Sequence, residues 1–111
     1  MNDKLYIIKV YKKILKEVYL SMINIPKVHY SIKELIIDDM YKYLMDLYIA
    51  NDISDKDIRI SKKEELVIRI KYISSLVSTL NEFKVLGEKK YLSINQDLEL
   101  LLRLMKSWKN I

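Results

Sequence analysis

The sequence contains no cysteine and only one glycine and one proline among its 111 residues. Without cysteine the chain can form neither a disulfide nor a Cys-ligated zinc site nor a thiol-redox centre. A nucleotide-binding glycine-rich loop needs several glycines close together, whereas Gly87 stands alone. A small β-sandwich or barrel uses glycine and proline at its many turns, so their scarcity argues against one. These absences favour a helical domain.

The sequence also lacks a long apolar run. No segment approaches the roughly 18 apolar residues that a membrane-spanning helix needs. Lys9 and Lys12 interrupt the apolar residues near the N-terminus, so we predict no secretory segment and expect a cytoplasmic protein. The chain has 20 Lys and Arg against 15 Asp and Glu, and its net charge of +5 favours acidic partners.

Apolar residues recur at spacings of three and four in four long segments, which is typical of amphipathic helices. Pro26 ends the first segment, Ser31 and Glu34 have the spacing of a capping box at the start of the second, and Gly87 lies in the last connection. A second capping-box pattern at Ser61 allows a break in the third helix. The predicted helices cover residues 3–24, 31–51, 55–84 and 88–110.

Long helices with short connections predict an all-α fold, a single domain over residues 1–111 that forms an up-down antiparallel four-helix bundle. The predicted core stripes are Ile8, Tyr11, Ile14, Leu15, Val18 and Met22; Ile36, Met40, Tyr43, Leu44, Leu47 and Ala50; Leu66, Ile70, Ile73, Val77 and Leu80; and Tyr91, Ile94, Leu98, Leu101, Met105 and Trp108. Leu100, Leu102 and Leu104 crowd further faces of the last helix. Either self-association or complete burial of that helix would cover them.

The acidic and histidine residues do not form a recognisable active site. Adjacent carboxylates, as in Asp38-Asp39 and Glu64-Glu65, point about 100° apart on a helix and do not converge. His29, the only histidine, follows Pro26 without an obvious nucleophile. We therefore predict a protein that is not an enzyme and that uses neither a metal nor another cofactor.

Nine tyrosines raise the alternative of base stacking on nucleic acid. However, Tyr11, Tyr43 and Tyr91 lie on the apolar stripes, and Tyr72 lies beside one. Such residues are more often at the edge of a core with the hydroxyl in contact with water, and we predict that arrangement.

Basic residues form three clusters with helical spacing. Such clusters bind phosphates with little sequence preference, and their binding weakens steeply with salt. A solvated lysine-rich surface and a basic helix lying on a membrane surface are the alternatives. The candidate nucleic-acid or partner contacts are Lys9, Lys12, Lys13 and Lys16 on the first helix; Lys56, Arg59, Lys62 and Lys63 at the start of the third; and Arg103 and Lys106 on the fourth, with Lys109 close by.

The order of these features resembles the four-helix-bundle family of the Avd accessory proteins of diversity-generating retroelements, which also includes proteins encoded in intervening sequences of bacterial 23S ribosomal RNA genes. The similar elements are Ile25-Pro26-Lys27-x-His29 between the first two helices, residues 47–51, Ile70-Lys71-Tyr72, Lys89-Lys90-Tyr91, and a final helix with Arg103 and Trp108. Leu102, Lys106 and Ser107 stand where the family usually has glycines.

The resemblance implies a homopentameric ring of four-helix bundles with a basic surface. It implies a non-enzymatic accessory protein that binds a reverse transcriptase and RNA or DNA during mutagenic cDNA synthesis. By position, Lys71, Arg103 and Arg59 match basic residues of the family. The alternatives are an intervening-sequence-type bundle without a polymerase partner, and an oligomeric scaffold whose charge serves solubility.

Overall fold

The computed structural model describes residues 3–111 of the chain, and the side chains from Leu5 onward. It contains four α-helices and no strand among these residues, so the predicted all-α fold is confirmed. The helices are α1 (Asp3–Ser21), α2 (Tyr30–Asp52), α3 (Lys56–Glu82) and α4 (Glu88–Trp108). The predicted domain also includes Met1 and Asn2, which lie outside the described residues.

The helices form a four-sided bundle in which α1 packs on α2 and α4, and α3 packs on the same two helices. Trp108 near the end of α4 contacts Asn51 near the end of α2 and lines a cavity with Ile7 from the start of α1. This arrangement places successive helices antiparallel, as predicted. A helix of 27 residues is about 40 Å long, and α3 accordingly spans most of the 45 Å long axis of the molecule. No helix among residues 3–111 is both long enough and apolar enough to cross a membrane.

The predicted apolar stripes form one continuous core, because residues three and four apart on each helix face the bundle axis. Only Leu44 and Tyr91 of those stripes are half-buried rather than buried. On α4, Leu101 is fully buried, while Leu100, Leu102 and Leu104 pack against the core with part of each side chain exposed. The isolated chain therefore covers much of the leucine surplus on this helix.

The predicted start of α2 is wrong by one residue, and its predicted cap is absent. After Pro26 the chain forms a 3-10 turn over Lys27–His29 that leads directly into α2, with the His29 N–H donating to the Pro26 carbonyl at 2.9 Å. Ser31 is therefore already inside the helix and does not cap it. The turn that begins at Pro26 leads into α2 at Tyr30. The helix therefore starts before Ser31, the residue that the capping-box pattern predicts as its cap.

The helix α3 is continuous, so the break that Ser61 allowed does not occur. Its N-cap is Asp55, whose carboxylate accepts a 3.0 Å hydrogen bond from the Ile58 N–H. Three helices end two or three residues earlier than predicted, α1 at Ser21, α3 at Glu82 and α4 at Trp108, whereas α2 ends one residue later, at Asp52.

The helix α3 ends in a Schellman motif with lysine at the position that glycine usually occupies. Lys84 has a φ of 60°. Among residues 3–111, no other non-glycine residue has a positive φ. The Val85 N–H donates to the Leu80 carbonyl, and the Lys84 N–H donates to the Asn81 carbonyl, both at 2.9 Å. Gly87 lies in the same connection, as predicted, but has extended φ and ψ angles and precedes α4 as its N-cap.

Replacing Lys84 with glycine should stabilise the protein by about 1 kcal/mol, because glycine adopts the left-handed conformation without the cost that a Cβ imposes. Urea denaturation followed by circular dichroism measures this change in the free energy of unfolding. The matched control is Lys42→Gly on an exposed turn within α2, which should lose about 1 kcal/mol because glycine is unfavourable in a helix interior. Equal losses in both variants would contradict the prediction.

Candidate nucleic-acid interface

The first basic cluster lies on the outer side of α1. Lys9, Lys12, Lys13 and Lys16 are all exposed, because they lie opposite the stripe of α1 that packs into the core. Their spacings of three and four keep them on one face over two helical turns, a rise of about 10 Å. The structure therefore brings this predicted cluster together.

Lys13 is the one member of the cluster that is held by a neighbouring helix. Its ammonium group lies 3.1 Å from a carboxylate oxygen of Asp97 on α4 and 4.0 Å from Glu17 one turn along α1. The hydrogen bond to Asp97, and then its negative charge, raise the pKa of Lys13 above its ordinary value. Because Lys13 is exposed, this pair fixes the position of the side chain more than it stabilises the fold.

The second cluster does not form a common surface, because two of its members have structural contacts. Arg59 donates hydrogen bonds to the backbone carbonyls of Ile53, Ser54 and Ile111, and thereby holds the α2–α3 loop against the end of the chain. Lys62 lies 3.6 Å from Glu65, an acidic neighbour on the same helix. Lys56 remains exposed at the start of α3.

Lys63 is completely buried, so its assignment to an exposed basic cluster is corrected. Its ammonium group lies 4.4 Å from the centre of the Trp108 ring, a distance typical of a cation–π interaction. Lys63 is on the core side of α3, one turn before Leu66 and two turns before Ile70. A residue in this position contributes to packing and cannot contact a phosphate on the surface.

The remaining predicted contacts Lys71, Arg103 and Lys106 are all exposed, and the first two line different grooves. Lys71 lines a shallow groove between α3 and α4 that also contains Glu99. Arg103 lines the groove between α1 and α4 together with Ile7, which places it beside the start of the lysine cluster on α1. Lys106 is exposed in the last turn of α4.

The strongest candidate interface is therefore the surface shared by α1 and α4, which we call the α1–α4 basic face. Its residues are exposed, carry charge of one sign, and lie on two helices in direct contact. Two acidic residues, Asp97 and Glu17, pair with it, both through Lys13. The face consists of Lys9, Lys12, Lys13, Lys16 and Arg103.

A polar network inside the core was not expected. Tyr11 and Tyr43 are completely buried, and their hydroxyls donate 2.6 Å hydrogen bonds to the backbone carbonyls of Met40 and Leu66. The prediction that these hydroxyls reach water is wrong, although their place on the apolar stripes was a signal for burial. The two rings are 4.9 Å apart, and the Arg69 guanidinium lies over the Tyr43 ring while it pairs with Asp46 at 2.5 Å.

Burial is the main cause that raises the pKa of both tyrosines well above the ordinary value of 10.0. For Tyr11 the neighbouring Tyr43 and Asp39 raise the pKa further; for Tyr43 the positive charge of Arg69 partly opposes the effect of burial. Burial lowers the pKa of Arg69, but the hydrogen bond and charge of Asp46 outweigh it, so the pKa rises overall. This network has no nucleophile and is closed to solvent at the tyrosines, so it acts in packing.

Among residues 3–111, no group of three or more His, Cys, Asp or Glu side chains is arranged to hold a metal ion. His29 is half-buried at the N-cap of α2, where its side chain makes no capping hydrogen bond. Tyr72 is 68% exposed on α3, away from the α1–α4 basic face.

Comparisons of the chain with protein-family models, curated proteins and solved structures give no match.

Proposed function

We propose that the protein binds RNA or DNA through the α1–α4 basic face and performs no catalysis itself. The observation that carries this proposal is the uninterrupted exposed lysine row of α1, with Arg103 on the adjacent helix. Lysine and arginine side chains on such a face can neutralise phosphates and release counterions, whatever the base sequence. Lys71, Lys106 and Lys56 are exposed outside the face and extend the positive field around it.

The resemblance to the Avd family supports a more specific proposal, in which the protein assists a reverse transcriptase of a diversity-generating retroelement. In that role the bundle would assemble with further copies of itself, up to the pentamer that the family implies, and would hold template RNA or cDNA near the polymerase. The exposed parts of Leu100, Leu102 and Leu104 on α4 are available for such self-association. An intervening-sequence-type protein without a polymerase partner, or an oligomeric scaffold, is the alternative.

Reversing three charges of the α1–α4 basic face should weaken binding of single-stranded RNA at least tenfold. The variant is Lys9→Glu, Lys12→Glu and Lys16→Glu; Lys13 is kept because a glutamate there would face Asp97. Since three phosphate contacts are lost, the slope of log K against log salt should become less steep by about 2. Fluorescence anisotropy with a labelled RNA over a series of salt concentrations measures both quantities.

The matched control reverses Lys42, Lys84 and Lys90, which are exposed and lie outside the face. It produces the same change in net charge, so a loss specific to the α1 variant cannot result from net charge alone. Equal affinity of the two variants would remove the face from the proposal, and absence of binding by the unchanged protein at low salt would leave the scaffold alternative.

The polymerase and assembly components need separate tests. A reverse-transcriptase gene with paired template and variable repeats beside this gene would favour the retroelement role over the intervening-sequence alternative. Sedimentation of the purified protein measures assembly directly, and a monomer at high concentration would contradict the proposed ring.

A further inference from the structure

A second surface of the bundle, on the helices α2 and α3, is apolar rather than basic. The beginning of α2 and the end of α3 enclose an open groove of about 480 Å³, which we call the α2–α3 groove. Leu35 at its edge is 71% exposed, and Phe83 on the opposite side is half exposed. Its lining residues are Ile32, Leu35, Ile36 and Asp39 on α2, Leu76, Thr79 and Leu80 on α3, and Phe83 directly after α3.

The apolar surface continues along α3 beyond the groove. Ile68, Tyr72 and Leu76 are separated by four residues each and are all exposed, so they extend the row that leads to Phe83. From Ile68 to Phe83 this row is about 22 Å long. Contiguous exposed apolar surfaces of this kind often mark interaction sites.

Among the residues that line the α2–α3 groove, one, Asp39, carries a charge. No described side chain among residues 3–111 forms a direct ion pair with it: the positive charge of Arg69 lies near enough to interact with Asp39, but its guanidinium pairs directly with Asp46. The neighbouring carboxylate, Asp38, is exposed on the outer side of α2. A partner that covers the groove would withdraw the Asp39 carboxylate from water, and a cationic group opposite it would offset that cost.

We propose that the α2–α3 groove binds an amphipathic helix of a partner protein. The apolar side chains of this helix, spaced by three and four residues, fill the groove between Leu35 and Phe83, and a lysine or arginine on the same helix pairs with Asp39. A row of about 22 Å matches a helix of roughly 15 residues, and an apolar groove between two helices is a common receptor for such a segment. The proposal does not depend on nucleic-acid binding, which uses α1 and α4.

The test uses the full chain and a labelled peptide of about 16 residues in which leucines at helical spacing alternate with lysines. A second peptide of the same pattern carries glutamine in place of lysine. We expect micromolar binding of the lysine peptide to the unchanged protein and at least fivefold weaker binding of the glutamine peptide. The groove variant Leu35→Gln with Phe83→Gln should weaken lysine-peptide binding at least tenfold, since both anchoring contacts are lost.

Two control variants distinguish specific binding in the groove from non-specific apolar binding and from misfolding. Met45→Gln changes an exposed apolar residue of α2 outside the groove, and it should leave binding unchanged. Asp39→Asn should retain binding but make the two peptides equivalent, and thermal unfolding by circular dichroism confirms that each variant is folded. Equal binding by the groove variant and the unchanged protein overturns the proposal. The proposal is also overturned if the unchanged protein self-associates and the groove variant is monomeric, because a second copy of the chain then occupies the groove.

Discussion

Replacing Trp108 with alanine is expected to lower the free energy of unfolding by about 3–5 kcal/mol, the range for removing a large buried aromatic side chain. Trp108 is 1% exposed, although it lies in the last turn of α4. Its indole N–H donates a 3.1 Å hydrogen bond to the Asn51 side chain, and its ring covers the ammonium group of Lys63. The substitution therefore removes packing, a hydrogen bond and a cation–π contact at once.

Urea denaturation followed by circular dichroism measures the loss. Since small domains have a total stability of about 5–15 kcal/mol, the alanine variant should lose a large share of its stability. Trp108→Phe retains an aromatic ring above Lys63 and loses the bond to Asn51, so it should cost clearly less than the alanine substitution. Tyr72→Ala removes an exposed aromatic residue and should change stability by no more than about 0.5 kcal/mol. A loss below about 1.5 kcal/mol in Trp108→Ala would contradict the described packing.

The fold could be predicted because the apolar residues follow the helical period almost without interruption. Leu66, Ile70, Ile73, Val77 and Leu80 on α3 are all buried, and so are the corresponding rows on the other helices except for the half-buried Leu44 and Tyr91. The helix ends were less predictable because local capping patterns compete with the geometry of the connections. The pattern at Ser31 fits a capping box, but the turn that follows Pro26 starts the helix earlier.

The burial of Lys63 shows that a pattern of charges alone does not distinguish a surface lysine from a buried one. The helical spacing of Lys56, Arg59, Lys62 and Lys63 predicts one cluster, yet Lys62 and Lys63 are adjacent and therefore point about 100° apart on the helix. The distance of Lys63 from Leu66, three residues, and from Ile70, seven residues, places it in the buried row, and this phase was the available signal. Its ammonium group lies against the Trp108 ring, and only the packing of α3 on α4 reveals that contact.

The contacts of Arg59 and Tyr43 could not be predicted from the sequence. The guanidinium of Arg59 is used by carbonyls of the α2–α3 loop and of Ile111, 52 residues away. The hydroxyl of Tyr43 donates to the Leu66 carbonyl on the next helix. These partners become neighbours only when the helices pack, whereas the α1 lysines need no partner to be exposed on one helix face.

The protein should lose stability steeply above about pH 10, because Tyr11 and Tyr43 are buried as neutral hydroxyls. In the unfolded chain both side chains release their protons near pH 10, whereas burial holds the pKa of each well above its ordinary value of 10.0 in the folded protein. The unfolded state then binds fewer protons than the folded state, so the free energy of unfolding falls as the pH rises. The contribution of these residues is complete below pH 10 and is lost above it.

Each tyrosine should lower the free energy of unfolding by about 1.4 kcal/mol for every pH unit above 10, and the pair by nearly 3 kcal/mol. Urea denaturation at several alkaline pH values gives this slope, and the absorbance of tyrosinate reports whether the buried rings ionise only on unfolding. Tyr43→Phe should roughly halve the slope that the two tyrosines produce, while Tyr72→Phe, at an exposed position, should leave it unchanged. The same slope in Tyr43→Phe as in the unchanged protein would contradict the assignment.

The geometry explains why the two hydroxyls resist ionisation together. Each hydroxyl donates to a backbone carbonyl at 2.6 Å, so a phenolate at either position would face a carbonyl oxygen without a proton between them. The rings are 4.9 Å apart, and a negative charge on one disfavours a charge on the other. Ionisation of Tyr11 or Tyr43 is therefore favoured by separation of the helices α1, α2 and α3, so the alkaline transition reports on bundle packing.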